Sequence, residues 1–162
     1  MAIYAKITIQ KRGTDIRGEY IALLNSGAKL KPMSPDMDFI PLPHIIVPPE
    51  VARELKVQRE DLTEERGRYS IDKKGLYKVC LYDLEDNPVV CLDTVLLIIE
   101  NDLDEILLTY EFLSVARIDL KPSIHAWVFE DKVIKSIFAV KRISEIDKRL
   151  LRYTPYREFL VK

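Results

Sequence analysis

The sequence lacks the features that mark membrane-spanning, secreted and nucleic-acid-binding proteins. No apolar run approaches the roughly 20 residues that a membrane-spanning helix needs. The N-terminus has neither the basic region nor the long apolar stretch of a secretory signal. The 25 basic and 26 acidic residues leave a formal net charge of −1, which gives no global sign of nucleic-acid binding. These absences predict a soluble, cytoplasmic protein with no membrane or nucleic-acid partner.

Cysteine and histidine are also scarce, with two residues of each. Cys80 and Cys91 flank a predicted hairpin, and His44 and His125 lie far apart, so the four do not form a credible zinc site. We expect no metal and no cofactor. We expect the two cysteines to be reduced and buried. A disulfide across the hairpin is the open alternative, since hyperthermophile proteins keep such bonds inside the cell.

Apolar residues make up 48% of the 162 residues, which is enough for the core of one domain. The chain is rich in Ile, Val, Leu, Lys and Glu and poor in Gln and Asn, a bias that suits a heat-adapted organism. Residues 3–10 alternate between apolar and polar side chains, which predicts a half-buried strand. Further strands are predicted at 17–24, 77–82, 89–92, 95–99, 106–108, 124–129 and 133–140.

Few segments predict helices. A short helix begins at Pro49, a residue type that suits the first helical position, and residues 110–116 predict a second. Ser144 is the predicted N-cap of a C-terminal helix that ends before Pro155. Many short strands and few short helices predict a mainly β domain.

The most specific motif is Asn25-Ser26-Gly27-Ala28, which directly follows the apolar run 21–24. Alone it is a turn signal. Around it the chain offers, in order, a strand, the motif, a proline-rich segment, a short helix, a hairpin, a core strand, and Ile106-Leu107-Leu108-Thr109 before another helix. Over residues 3–130 this order resembles that of the retropepsin-like aspartic proteases.

Residues 131–162 lie outside the resemblance and are expected to form a closing strand and a basic C-terminal helical extension. The resemblance implies a closed retropepsin-like β-barrel with one or two short helices, and a β domain over residues 1–130. It also implies a homodimer that binds an extended peptide or protein segment, with the hairpin at residues 77–92 as a flap.

Two residues depart from the family's pattern. The resemblance places Asn25 where the family has its catalytic Asp, and Thr109 where it has Gly. A carboxamide does not ionise near neutral pH, so Asn25 cannot perform the proton transfers of general acid–base catalysis. Asn25, Ser26 and Gly27 would form a vestigial catalytic loop, in which Ser26 bonds across the dimer and Gly27 permits the turn. Ala28 and Thr109 are assigned to substrate binding.

Three functions fit the sequence. The preferred one is a catalytically inactive protease homologue, a pseudoenzyme that dimerises and binds a peptide. The second is an aspartic endopeptidase that becomes active when Asn25 deamidates to Asp. The third is an unrelated β-rich interaction module that uses its basic tail, since residues 131–162 hold nine Lys or Arg and four Asp or Glu, a local net charge of +5. Such a run is usually a solvated face, and the tail has no recognisable nucleic-acid module.

Overall fold

β-Strands dominate the computed structural model, which describes residues 2–25, 43–65, 69–72 and 74–161. The strands are β1 (Ile3–Lys11), β2 (Arg17–Leu24), β3 (His44–Val47), β4 (Leu62–Glu65), β5 (Tyr69–Asp72), β6 (Tyr77–Tyr82), β7 (Pro88–Glu100), β8 (Leu107–Leu108), β9 (Ile118–Lys121), β10 (Ala126–Phe129) and β11 (Lys132–Lys135). The α-helices are α1 (Pro49–Glu54), α2 (Tyr110–Val115) and α3 (Ile137–Val140). Short 3₁₀-helices span Arg59–Asp61, Pro122–Ile124, Ile143–Glu145, Lys148–Tyr153 and Arg157–Val161.

Six of these strands form a closed ring. β1 pairs antiparallel with β2 and β6, and β6 pairs antiparallel with β7. β7 pairs in parallel with β3, β3 antiparallel with β8, and β8 in parallel with β2. The hairpin of β4 and β5 continues the sheet beyond β7, and β4 is its outer strand. The closed, mainly β fold predicted from the sequence is therefore confirmed. The predicted elements follow one another in the expected order, but β3, β4, β5 and β9 were not predicted.

The core fills the inside of the ring. On β1 the predicted inner face, which includes Ile3, Ala5 and Ile7, is buried in the main apolar cluster. Tyr4, on the opposite face of the same strand, is also buried, because it joins Ile21 and the C-terminal residues Ile146 and Leu151 in a second cluster. The C-terminal extension thus covers the outer face of β1 and β2.

Two of the predicted strand assignments differ from the structure. β7 is one continuous strand, not two, because the polar residues Asp93 and Thr94 lie at a register irregularity against β6 and do not end the strand. The predicted strand over residues 133–140 ends at Lys135 and continues as helix α3. Ser136 causes this change of direction: its Oγ accepts the N–H of Tyr4 at 2.9 Å, and its own N–H donates to the carbonyl of His125 at 2.7 Å.

The C-terminal helical extension consists of short 3₁₀-helices and not of one α-helix. Ile146 has extended backbone and separates the first two of them. Asp147, not Ser144, caps the second helix, because its side chain accepts the N–H of Arg149. The division of the chain into domains at residue 130 stays a prediction.

Basic side chains of the extension bind acidic side chains of the barrel. Arg152 Nη2 lies 3.1 Å from Glu54 Oε1, and Arg157 Nη2 lies 3.3 Å from Asp104 Oδ2. The hydroxyl of Tyr153 also donates to Glu54. Part of the positive charge of residues 131–162 is therefore paired within the chain.

Cys80 and Cys91 form a disulfide, so the expectation of reduced thiols was wrong. The two residues lie directly opposite each other on β6 and β7, with Cα atoms 4.1 Å apart. A short Cα–Cα distance is typical of the non-hydrogen-bonded pairs of an antiparallel ladder, in which the side chains lie closest together. In the chain-entropy description, a loop of this length stabilises the folded state by about 3 kcal/mol.

Four tyrosine hydroxyls, buried or half-buried, donate hydrogen bonds to carboxylates. The pKa of each hydroxyl is raised above its usual value of 10.0, mainly because the hydroxyl is buried and in smaller part because a carboxylate lies beside it. The donor–acceptor pairs are Tyr4–Glu105, Tyr20–Glu54, Tyr77–Asp72 and Tyr153–Glu54.

These raised pKa values predict a loss of stability at alkaline pH. The four hydroxyls ionise more readily in the unfolded chain, so their contribution is complete below pH 10.0 and is lost as the pH rises above it. The tyrosinate absorbance of the folded protein should therefore rise at higher pH than that of the denatured protein, for about half of the eight tyrosines. Tyr4→Phe should lower by one the number of tyrosines that ionise at higher pH in the folded protein than in the denatured protein. Coincident titration curves for the folded and denatured protein would contradict the prediction.

Candidate functional site

Asn25 directly follows the strand β2, which lies between β1 and β8 in the ring. β2 and β8 run parallel, with Leu23 opposite Leu107 and Leu24 opposite Leu108. The N–H of Asn25 donates to the carbonyl of Leu108 at 3.1 Å, so the backbone at Asn25 is fixed to β8. The side chain is half-buried. The predicted apolar strand therefore delivers Asn25 to the end of a strand in the middle of the sheet.

The structure places two of the five predicted site residues. Asn25 and Thr109 come together, since each lies one residue beyond the Leu24–Leu108 pair. Ser26, Gly27 and Ala28 lie outside the described residues, so the roles assigned to them stay predictions.

Thr109 is fully buried and links the end of β8 to strand β3 and helix α2. Its Oγ1 donates to the carbonyl of His44 on β3 at 2.7 Å and accepts the N–H of Phe112 at 3.3 Å, which caps helix α2. A glycine could make neither bond, so the threonine fastens the end of β8 to β3 and α2. Both hydrogen bonds go to the backbone, and a role for Thr109 in substrate binding stays a prediction.

His44 and Glu111, next to Thr109, were not among the predicted site residues. His44 is 4% exposed, and its Nε2 lies 3.6 Å from Oε2 of Glu111 in the first turn of α2. A Thr N-cap with a Glu two residues later is a recognisable helix start. The contact with His44 could not be read from sequence, because it depends on the pairing of β3 with β8.

The strand ends at the centre of this site, residues 23–25 and 107–109, offer hydrogen bonds but no group that exchanges protons near neutral pH. The carboxamide of Asn25 donates and accepts hydrogen bonds but does not ionise near neutral pH. The strand ends beside it, 23–24 and 107–109, consist of leucines and one threonine. None of these side chains can act as a general acid or base at such pH values.

The hairpin predicted as a flap, at residues 77–92, is built into the wall of the ring. β6 pairs with β1 from Lys6–Tyr82 to Lys11–Tyr77. The turn of this hairpin is also fastened to β1, because Asp86 Oδ1 accepts a hydrogen bond from Lys6 Nζ at 2.9 Å. The hairpin of β4 and β5 lies outside the ring but continues its sheet, and its outer strand β4 has one unpaired edge among the described strands. The antiparallel strands β9, β10 and β11 form a separate sheet outside the ring.

Within residues 2–25, 43–65, 69–72 and 74–161, no three or more His, Cys, Asp or Glu side chains are grouped in a way that could hold a metal ion. The two cysteines are bonded to each other. None of the helices in these ranges combines the length and apolar character required to cross a bilayer.

No protein-family model matches the sequence, and no curated protein matches it. The solved structures that match include the crystal structure of the retroviral protease-like domain of Ddi1 from Leishmania major. It aligns with a TM-score of 0.48 and 11% sequence identity, over 83% of this chain and 93% of that chain. The closed, mainly β fold is shown by the strand pairing of the chain itself.

Proposed function

We propose that this protein is a retropepsin-like aspartic protease homologue that binds an extended peptide without cleaving it. The observation that carries the proposal is Asn25, which ends a central strand in a closed β fold, where the family's pattern has its catalytic Asp. The carboxamide keeps the size of that residue and one acceptor oxygen, but an NH₂ donor replaces the second oxygen and the ionisable group is lost.

The loss of the acid removes the chemical step and leaves the scaffold intact. In aspartic proteases two carboxyl groups share one proton, because like charges so close together cannot both ionise. One takes a proton from the attacking water and the other donates one to the substrate carbonyl. Two facing carboxamides from a homodimer would hold the water by hydrogen bonds but could not exchange protons with it.

The hairpin of β4 and β5 is a surface suited to an extended peptide, because it continues the sheet of the ring. Among the described residues β4 is the outer strand, so the backbone groups along its edge can pair with a further strand. β5 is fixed at its other edge, where Tyr69, Ser70 and Ile71 pair with β7. A peptide added to β4 would therefore continue the same sheet.

The basic tail has an explanation within the chain. Arg152 and Arg157 pair with acids of the barrel, which favours a structural role for the extension over the alternative of an unrelated interaction module.

Binding without cleavage is tested with two matched peptides. A fluorescent peptide of alternating valine and lysine is expected to bind, and one with proline in place of each valine is not, because proline cannot donate to a β ladder. Fluorescence anisotropy measures binding, and mass spectrometry of the recovered peptide measures cleavage. Sedimentation of the complex should give the mass of a dimer. Equal binding of both peptides would contradict strand addition, and a monomeric complex would contradict the homodimer.

A further inference from the structure

A cavity of about 240 Å³ lies between β1, the β6–β7 hairpin, β11 and the C-terminal extension. Its lining contains none of the residues of the Asn25 site. It is closed on one side by the same extension that covers the outer face of β1 and β2, so residues from opposite ends of the chain meet in it.

Trp127 is the most informative residue of this lining. It is the only tryptophan in the sequence and is fully buried on β10. Its Nε1 has no hydrogen-bond partner within the part of the chain that the structure describes. An indole N–H only donates, and burying a donor without an acceptor is unfavourable. A molecule in the cavity that brings an acceptor oxygen would recover that cost.

The inner lining is apolar. Ala5, Ile134, Ile137 and Ile146 line the cavity, and each is buried. An apolar cavity of roughly 150 Å³ is large enough for benzene. A space of about 240 Å³ therefore suits a six-membered ring with one small substituent.

The outer lining is rich in acidic groups, which disfavours an anionic ligand. Five acidic and three basic side chains line the cavity, most of them at the solvent side. Lys6, whose side chain is 16% exposed, already binds Asp86 at 2.9 Å. The charged residues are Glu19, Asp83, Asp86, Glu145 and Asp147 on the acidic side and Lys6, Lys135 and Lys141 on the basic side.

We propose that this cavity binds a small, uncharged ring compound that carries a carbonyl oxygen. The ring lies against the isoleucines, and the oxygen accepts the hydrogen bond of Trp127 Nε1. The acidic mouth selects against the corresponding carboxylate. This site is independent of the peptide-binding function proposed above.

Three probes test the proposal: acetophenone, ethylbenzene, which lacks the carbonyl oxygen, and benzoate, which is charged. Because the chain has a single tryptophan, its indole N–H gives one resonance in a ¹H–¹⁵N spectrum. Acetophenone should shift this resonance saturably and bind about tenfold more tightly than ethylbenzene, the effect of one hydrogen bond. Benzoate should bind more weakly than acetophenone.

Two variants make the test specific. Trp127→Phe keeps an aromatic ring but removes the N–H, so equilibrium dialysis should show that acetophenone loses its advantage over ethylbenzene. Ala5→Leu fills part of the cavity and should weaken the binding of both compounds. A dispersed amide spectrum that changes only for residues near the substitution confirms that each variant is folded. The proposal is overturned if none of the probes binds saturably to the wild type, if ethylbenzene binds as well as acetophenone, or if Trp127→Phe retains the preference.

Discussion

Replacing Asn25 by Asp is expected to raise peptidase activity toward an unfolded protein by about 10² to 10⁴-fold, the usual contribution of general acid–base catalysis. The substitution adds one carboxyl group per chain at the end of β2, where the backbone N–H is already held by Leu108. In a dimer the two carboxyl groups would share one proton. Because the pair is active only while it holds that proton, activity should appear only at acidic pH, between about pH 3 and 6. The wild type should show no cleavage above background at any pH.

The matched control is Asn101→Asp. Asn101 is exposed in the turn after β7, so this variant makes the same chemical change away from the site and should remain inactive. Intact-mass analysis of the wild type must show no deamidated species, because deamidation of Asn25 would create the active variant. Cleavage by protein with intact Asn25 would refute the proposed function. An inactive but folded Asn25→Asp would show that the scaffold lacks more than the acid.

Local patterns predict most of the ring strands, but not β3, which lies in a segment predicted to be irregular, and not what covers the strands. The alternation of Ile3, Ala5 and Ile7 correctly identifies the inner face of β1. The same alternation places Tyr4 on the solvent side, where it is in fact buried with Ile146 and Leu151. These contacts join the two ends of the chain, so no local pattern contains them.

The site was predictable only in part for the same reason. The apolar run before Asn25 identifies the strand that delivers it. The contact of Asn25 with Leu108, and the bond of Thr109 to His44, depend on the parallel and antiparallel pairing of β8 with two distant strands. The disulfide depends on the register of the β6–β7 hairpin, which places Cys80 opposite Cys91 and not one residue away.

The second large effect is expected at Asp72, which fixes the base of the β4–β5 hairpin. Asp72 is 1% exposed and ends β5. Its Oδ2 accepts the hydroxyl of Tyr77 at 2.6 Å, and its Oδ1 accepts the N–H groups of Lys74 at 3.1 Å and Gly75 at 3.0 Å. The packing at this turn leaves no room for a side chain at position 75, because a Cβ there would lie 2.6 Å from Asp72 Oδ2.

Asp72→Ala should lower the free energy of unfolding by about 3–5 kcal/mol, because it leaves the buried hydroxyl of Tyr77 and two N–H groups without an acceptor. Asp72→Asn retains an acceptor oxygen for the two N–H groups and should cost less. Tyr77→Phe removes one hydrogen bond and should cost about 1–2 kcal/mol. Urea unfolding of the single and double variants measures these values. The double variant Asp72→Ala/Tyr77→Phe should cost less than the sum of its parts, since the second change removes a donor that the first has already left unpaired.

The same variant connects stability with the proposed peptide binding. Asp72 holds the hairpin that carries β4, so peptide affinity should fall in Asp72→Ala under conditions where the protein is still folded. Tyr110→Ala on α2, an exposed side chain remote in sequence from the hairpin, is the control and should leave affinity unchanged. If Asp72→Ala costs no more than Asp72→Asn, the three hydrogen bonds do not hold the turn together. If stability falls but peptide affinity does not, the binding edge lies elsewhere than β4.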